Sequence, residues 1–348
     1  MKRIEVQEID CPLCSSREYR RVCQIVDSTY GVEGSYQVVR CKSCAHLYLN
    51  PRPADSSLLD CYPTDYAPHT GEEAVGQTDT SEISSDDVEP CSNTQADQAA
   101  SSSAVRRVLR AIPGLRKLLF WLGQENATYL PDAPQPGRSR LLEVGCAHGG
   151  FLEQAQASGW VVDGVEPSEL AATAARSKGF DVHCGFLADA DIQASSRDVV
   201  AMWMVLEHVP NPVELVDEVH RILRPGGIFT FSVPNASTWE RWVFGRHWLG
   251  YDAPRHLQVF SVRRLRRLLV DQGFGEIRVI HQANTRYWWG SVAAWGKERF
   301  QSHKWPDRWM HYFTAEPPAW WSVALLLPGK LIEVARCSGR ITVIATKT

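Results

Sequence analysis

The chain is predicted to be an α/β protein, an open and largely parallel sheet with crossover helices, preceded by a small unit built on cysteine knuckles. Three observations predict this. From Arg138 onward, short apolar runs alternate with helical patterns at the spacing of βα units. The first of those runs leads into a glycine-containing turn, Leu141-Leu142-Glu143-Val144-Gly145-Cys146-Ala147-His148-Gly149-Gly150. Ahead of it stand two C-x2-C knuckles, Cys11-Pro-Leu-Cys14 and Cys41-Lys-Ser-Cys44. The length of 348 residues allows two or three domains, and 44% hydrophobic with 22% charged residues is ordinary for a globular chain.

In chain order, residues 1–63 form the knuckle unit. Each knuckle presents two thiolates from a tight turn, and four together make the tetrahedral sulfur shell that structural Zn2+ takes, with Cys11, Cys14, Cys41 and Cys44 as ligands. The spacer between the knuckles is longer than the common form, and Cys23 within it reads as a bystander. A redox dithiol and an iron–sulfur cluster are the competing readings. Whatever the metal, its expected role is to hold together a unit too small to build a core. Residues 64–104 read as a disordered acidic linker: its Gly71 to Ala104 stretch has eight acidic residues, no Lys or Arg and no aromatic. Residues 105–135 read as a basic amphipathic helical cap, with Arg106, Arg107, Arg110, Arg116 and Lys117 among apolar residues at spacings of three and four.

The remaining domain, 136–348, carries strand patterns at Arg140 to Val144, Val161 to Val165, Asp181 to Cys184, Asp198 to Trp203, Ile228 to Val233 and Glu276 to Ile280, with a last one at Gly339 to Thr346. Helical patterns fall between them at Gly150 to Ser158, Glu169 to Ser177, Pro212 to Leu223 and Val262 to Gln272. In the last, Ser261 is the N-cap and Val262, Leu265, Leu268 and Leu269 form the buried stripe. An insert rich in Trp, Tyr and Pro spans 281–338. The glycine turn lets backbone approach a ligand closely. A second strand ends in Glu166, where a carboxylate can accept both hydroxyls of a ribose. Leu206-Glu207-His208-Val209 and Leu223-Arg224-Pro225-Gly226-Gly227 follow in order.

These ordered motifs resemble the class I methyltransferases that use S-adenosylmethionine (SAM), within them the small-molecule group bearing E/D-x-G-C-G-x-G, L-E-H-V and L-K/R-P-G-G. The resemblance implies a Rossmann-like seven-stranded methyltransferase sheet whose antiparallel seventh strand, here Gly339 to Thr346, is inserted beside the fifth. It implies SAM as cofactor. Carried onto this sequence, Glu143, Gly145, Cys146 and Gly149 line its methionine and ribose side. Glu166 holds the ribose hydroxyls, Gly185 and Phe186 contact adenine, and Trp203 and Met204 flank the cofactor. The acidic residue often found beside adenine has no counterpart. The knuckles followed by Pro51-Arg52-Pro53 are similar to a subset with a zinc ribbon in front of the methyltransferase domain. Sugar C-methyltransferases share that layout and carry Tyr-x-Glu-His, but here Val205 stands at the Tyr position and their additional C-terminal domain has no counterpart.

Methyl transfer to a hydroxyl needs a positioned nucleophile and a proton acceptor. His208 is the first catalytic candidate because it follows a strand edge that faces the cofactor, and Glu207 beside it and His256 in the loop Tyr251 to Leu257 are the others. Set against these roles, Glu207 and His208 could simply orient backbone, and His256 could be a structural histidine. The Arg263, Arg264, Arg266 and Arg267 face reads as solvated surface. The tryptophans crowded between Trp239 and Trp321 form a core beneath the insert, line an apolar acceptor pocket or meet a membrane interface. The expected function is methylation, at oxygen, of a small-molecule or glycan/lipid-linked acceptor by a cytoplasmic enzyme, with possible peripheral contact to the membrane. An RNA (rRNA or tRNA) methyltransferase gripping RNA with the ribbon is the alternative, and a non-catalytic SAM-binding module another. Nucleic acid is disfavoured because residues 1–52 carry eight basic against six acidic residues, no dense basic face. The N-terminal residues lack the apolar core of a signal peptide, and the apolar run Pro317 to Pro328 is too short to span a bilayer. Whole-chain net charge is −3, yet without the acidic linker 37 basic residues face 32 acidic ones, so the ordered parts are mildly basic.

Overall fold

A computed structural model describes residues 4–63, 66, 128–300, 302–314 and 319–348. The linker expected over 64–104 and most of the cap expected over 105–135 lie outside the described residues. The N-terminal unit holds β1 (Val6–Gln7), β2 (Tyr19–Ile25), β3 (Tyr36–Cys41), β4 (Leu47–Leu49) and β5 (Arg52–Pro53). The following domain holds β6 (Arg140–Val144), β7 (Val161–Glu166), β8 (Asp181–Cys184), β9 (Arg197–Trp203), β10 (Leu223–Pro234), β11 (Gln258–Val259), β12 (Phe274–His281) and β13 (Arg340–Lys347). Its helices are α1 (Gly150–Ala157), α2 (Glu169–Ser177), α3 (Pro212–Ile222), α4 (Glu240–Phe244), α5 (Val262–Asp271), α6 (Arg286–Arg299), α7 (Trp305–Thr314) and α8 (Ala319–Val334). Every strand and helix expected from periodicity within 136–348 is present, with ends moved by one or two residues except for β10. That strand begins early, at Leu223, because Leu223 already pairs with Arg197 of β9 ahead of a register shift over the Arg224 to Gly227 turn.

The seven-stranded sheet runs β12-β13-β10-β9-β6-β7-β8. β13 is antiparallel to both β10 and β12, and the other pairs are parallel. The inserted antiparallel strand implied by the resemblance is thus in place. Strands buried on both faces read as continuous apolar runs, which is why β6, β9 and β10 lack alternation. One face packs Leu142, Val200, Met202 and Phe231 against Val216, Val219 and Ile222 of α3 and Leu265, Leu268 and Leu269 of α5. On the other, Leu152, Ala172, Ala175 and Phe180 surround Cys146. The α5 stripe is the expected one, its Ser261 cap accepts from Arg264 N–H, and Arg266 and Arg267 are tied to the Ile277 carbonyl and to Asp271.

The N-terminal unit does not stand apart. Its sheet runs β11-β4-β3-β2, so a strand of the following domain closes it, with Gln258 opposite Tyr48 and Val259 opposite Leu47. Val38, Leu47 and Leu49 share one core with Trp248, Tyr251 and Val259. Beside that seam the Arg255 guanidinium is fully buried. It donates to both oxygens of Asp27 from the N-terminal unit (2.7 and 2.9 Å) and to both of Asp252 (2.7 and 2.9 Å), and it stacks on Tyr30. The knuckles alone are therefore not what gives this unit a core.

In the insert, Trp289, Trp309 and Trp305 of α6 and α7 meet edge to face in series, Trp288 lies tilted against Trp289, and Trp248 is buried against Tyr251 and Tyr287. Trp242 and Trp295 are exposed, and the side chains of Trp320 and Trp321 lie outside the description. Among the described residues no helix is long and apolar enough to cross a membrane.

Removing one partner of a buried ion pair leaves an uncompensated charge. Asp27→Ala is expected to cost about 3–5 kcal/mol, read as a lower urea midpoint by tryptophan fluorescence. Arg267→Ala, at an exposed pair, is expected to stay within about 0.5 kcal/mol of the parent.

Candidate active site and cysteine cluster

At the C-terminal edge of β6, β7 and β9 lies a cavity of 1820 Å3, the place where open α/β sheets bind ligands. Its floor is the turn after β6. Gly145 has φ of +74°, and a Cβ there would come within 2.5 Å of Val205 Cγ2. Gly149, with φ of +84°, caps α1. Between them Ala147 is also left-handed, at +46°, which turns its N–H onto Glu166 Oε2 at 2.9 Å. The other Glu166 oxygen accepts from Ser168 N–H at 2.8 Å, so two backbone donors orient the carboxylate and leave each oxygen one lone pair toward the cavity. Burial raises the Glu166 pKa, the two N–H donors opposing it. Glu143 is buried too, its Oε2 without a hydrogen-bond partner among the described residues. Burial first, then the Glu166 charge, raises its pKa well above the usual carboxylate range. Such a carboxylate calls for a ligand cation.

Every residue assigned to the cofactor from the sequence lines this cavity except Gly149, which sits one position behind it as the helix cap. Phe186 is half exposed at the rim, and Asp189 lines the same rim, its Oδ2 accepting from Phe186 N–H at 3.3 Å. An acidic side chain therefore does reach this side, three residues beyond the expected place. Trp203 packs edge-on against Phe151, and Met204 holds φ of +58°, a strained conformation for a non-glycine residue that ends β9 abruptly at the cavity.

The three catalytic candidates converge. The His208 and His256 rings meet edge to face at 4.7 Å, and His256 Nε2 lies 3.9 Å from Glu207 Oε1. Burial lowers both histidines, His208 to about 3, and raises Glu207 to about 8. Both histidines line the cavity, whereas Glu207 is wholly buried behind them. The aromatic insert contributes none of its described tryptophans to the lining; Trp203 is the indole there. Instead the N-terminal unit reaches in with Leu58, Leu59, Tyr62 and Tyr66, and Tyr62 Oη sits 2.9 Å from His208 Nδ1. Sequence reasoning missed Tyr62. The motif placed a valine where related sites have tyrosine, and nothing local in Cys61-Tyr62-Pro63 signals that a hydroxyl arrives from another unit.

At the far end of that unit the four knuckle sulfurs lie within 4.8 Å of one another, with Cys11 to Cys44 and Cys14 to Cys41 both 3.6 Å apart. That is far from a disulfide and close to the edge of about 3.8 Å of a tetrahedron with Zn–S of about 2.3 Å. Among the described cysteines all are free thiols, and Cys23 stands apart, against the core shared with Tyr251.

Residues 115–278 match the sequence model of the family described as "Methyltransferase domain". Over these residues, just under half of the chain, it is similar to a class I methyltransferase domain. Among curated proteins, a "Probable S-adenosylmethionine-dependent methyltransferase" of Mycolicibacterium smegmatis is 31% identical over 170 residues, 47% of this chain and 63% of that one. A "Ubiquinone biosynthesis O-methyltransferase" of Idiomarina loihiensis is 36% identical over 124 residues, 32% of this chain and 50% of that one. The chain thus spans about half to just under two thirds of the relatives it matches. A solved SAM-dependent methyltransferase of Mesorhizobium loti superposes with a TM-score of 0.42 at 18% identity, covering 72% of this chain and all of that one. The methyltransferase domain accounts for the glycine turn and Glu166, and the cysteine cluster lies outside the matched residues.

Gly145→Ala in the methyltransferase domain is expected to destabilise by about 1–3 kcal/mol, since a left-handed alanine is strained and Val205 blocks its Cβ. A matched Gly137→Ala, left-handed with nothing near its Cβ, isolates the steric part when the two urea midpoints are compared.

Proposed function

We propose that the protein is a SAM-dependent methyltransferase acting at an oxygen of a small-molecule or glycan/lipid-linked acceptor. The observation that carries this reading is the placement of His208 and His256, backed by Glu207, in one cavity with the Glu143 and Glu166 carboxylates and the glycine turn. SAM supplies an electrophilic methyl on a sulfonium. Glu166, held by two backbone N–H groups, is suited to the ribose hydroxyls, and the unpaired Glu143 oxygen to the cationic side of the amino-acid end. Gly145, Cys146 and Gly149 shape the turn beneath, and Gly185 and Phe186 with Asp189 form the adenine rim. The acceptor then lies between Met204 and the two histidines, walled by Tyr62 and Tyr66.

Oxygen as the methylated atom draws support from the neutral imidazoles, which have lone pairs to offer a hydroxyl, and from the ubiquinone O-methyltransferases among the relatives. A lipid-linked acceptor draws support from the exposed Trp242 and Val243 of α4, with Arg241 stacked 4.3 Å over Trp242, a pairing suited to a headgroup boundary. The Cys11, Cys14, Cys41 and Cys44 shell is read as structural Zn2+ that shapes the unit delivering Tyr62.

Two measurements test this reading. Titration calorimetry with SAM is expected to show binding by the parent and at least a tenfold loss, about 1.4 kcal/mol, for Glu166→Ala. Labelled SAM incubated with extract fractions is expected to place label in the small-molecule or lipid pool. No SAM binding by the parent overturns the function, and label in RNA alone replaces the acceptor class. For the ribbon, Cys41→Ser is expected to release its zinc by elemental analysis and to lose amide protection where β4 pairs with β11.

A further inference from the structure

Glu207, His208 and His256 each offer a donor atom, and the three atoms lie within 4.8 Å of one another. Both oxygens of Glu207 are fully buried with no hydrogen-bond partner among the described residues. A dry carboxylate with no donor is costly, so the arrangement needs a cation or a proton at that place. The imidazoles are turned to suit a cation. Nδ1 of His256 lies 3.0 Å from the Gly250 carbonyl oxygen, and Nδ1 of His208 lies 3.1 Å from that of Arg255. A carbonyl only accepts, so each Nδ1 carries the proton, with the Tyr62 hydroxyl oxygen 2.9 Å from His208 Nδ1 as a second acceptor, and each Nε2 keeps its lone pair. Histidine ligands of metal ions are oriented in this manner by their second nitrogen. The 3.9 Å from His256 Nε2 to Glu207 Oε1 is within reach of two ligands that each sit about 2.0–2.2 Å from one ion.

The geometry points to a divalent metal site formed by Glu207, His208 and His256 at the acceptor end of the cavity. Two imidazoles and one carboxylate suit a borderline transition ion such as Zn2+, and three protein ligands leave coordination positions open. Those positions face the cavity, because the histidines line it and Glu207 lies behind them. Their occupant is an oxygen of the acceptor, or of its hydroxyl pair. That last step rests on the methyltransferase reading, whereas the ion itself rests on the three side chains alone. The site shares no ligand with the cysteine cluster.

The full chain, equilibrated with Zn2+ and desalted, is expected to hold two ions per chain by elemental analysis, and Glu207→Gln and His256→Ala one each. Loaded with Co2+, the second equivalent is expected to add weak visible ligand-field bands without raising the thiolate-to-cobalt charge transfer of the first. A parent that holds one ion overturns the site and leaves Glu207 as a neutral acid sharing its proton with His256. Variants that still hold two ions, or a second cobalt that raises the charge-transfer band, overturn it as well. SAM calorimetry on the same samples separates the two claims. One ion with SAM binding intact removes the metal site and leaves methyl transfer standing, and two ions without SAM binding do the reverse.

Discussion

The rest of the structure depends on one buried cation, the Arg255 guanidinium clamped between Asp27 and Asp252. Burial works against a charged arginine, and the two carboxylates more than offset it, holding Arg255 protonated. Burial likewise works against ionised Asp252, and Arg255 outweighs it, taking that carboxyl down to about 2. Asp27 sits in a loop of the N-terminal unit and also accepts from the N–H groups of Thr29, Tyr30 and Val32, so the pair fixes a whole loop. The main chain of the same arginine points the other way. Its carbonyl receives His208 Nδ1, and the next residue is His256. One residue therefore docks the two units with its side chain and orients the candidate site with its backbone.

This explains why a cysteine-knuckle unit sits in front of the methyltransferase domain at all. β11 extends the unit's sheet by two residues, and Gln258 on that strand bonds His46 on one side and the Val209 carbonyl on the other. His46, fully buried, is pushed down to about 4 by that burial and stays neutral, as a hydrogen-bonding strut between units must. The chain then leaves the unit through Leu58, Leu59 and Tyr62, which form a wall of the cavity. The cysteine cluster and the cavity wall thus belong to one unit, tied to the following domain through β11.

The sequence disclosed what local periodicity and turn chemistry control. The strands of the large sheet, the α5 stripe beneath Ser261, the two knuckles and the glycine turn all follow from short-range patterns, and the order of motifs implied the inserted antiparallel strand. Contacts between segments far apart in the chain were not legible. Tyr62 to His208 spans 146 residues and Arg255 to Asp27 spans 228. Neither end carries a local signature, since a lone tyrosine before a proline and a loop arginine are common surface residues. The strain at Ala147 and Met204 was hidden for a different reason: a left-handed alanine or methionine is held by its surroundings and contradicts its own propensity. Of the readings open for the insert, the described indoles support a core, since they mainly pack on each other.

The polarity of the cavity follows from burial more than from charge count. Glu143 and Glu166 line the cavity and Glu207 backs it behind the histidines, and burial raises the pKa of all three. They differ in what meets them. Glu166 is met by two backbone donors and so is preorganised for a hydroxylated ligand. Glu143 and Glu207 keep oxygens that nothing described reaches, and each is therefore poised for something positive brought in with a ligand. Among the lining residues Trp203, Met204 and Val205 are apolar and partly buried. Low dielectric beside such side chains strengthens whatever charge complementarity a ligand brings, so the burial that raises these carboxylates also sharpens their demand for a partner.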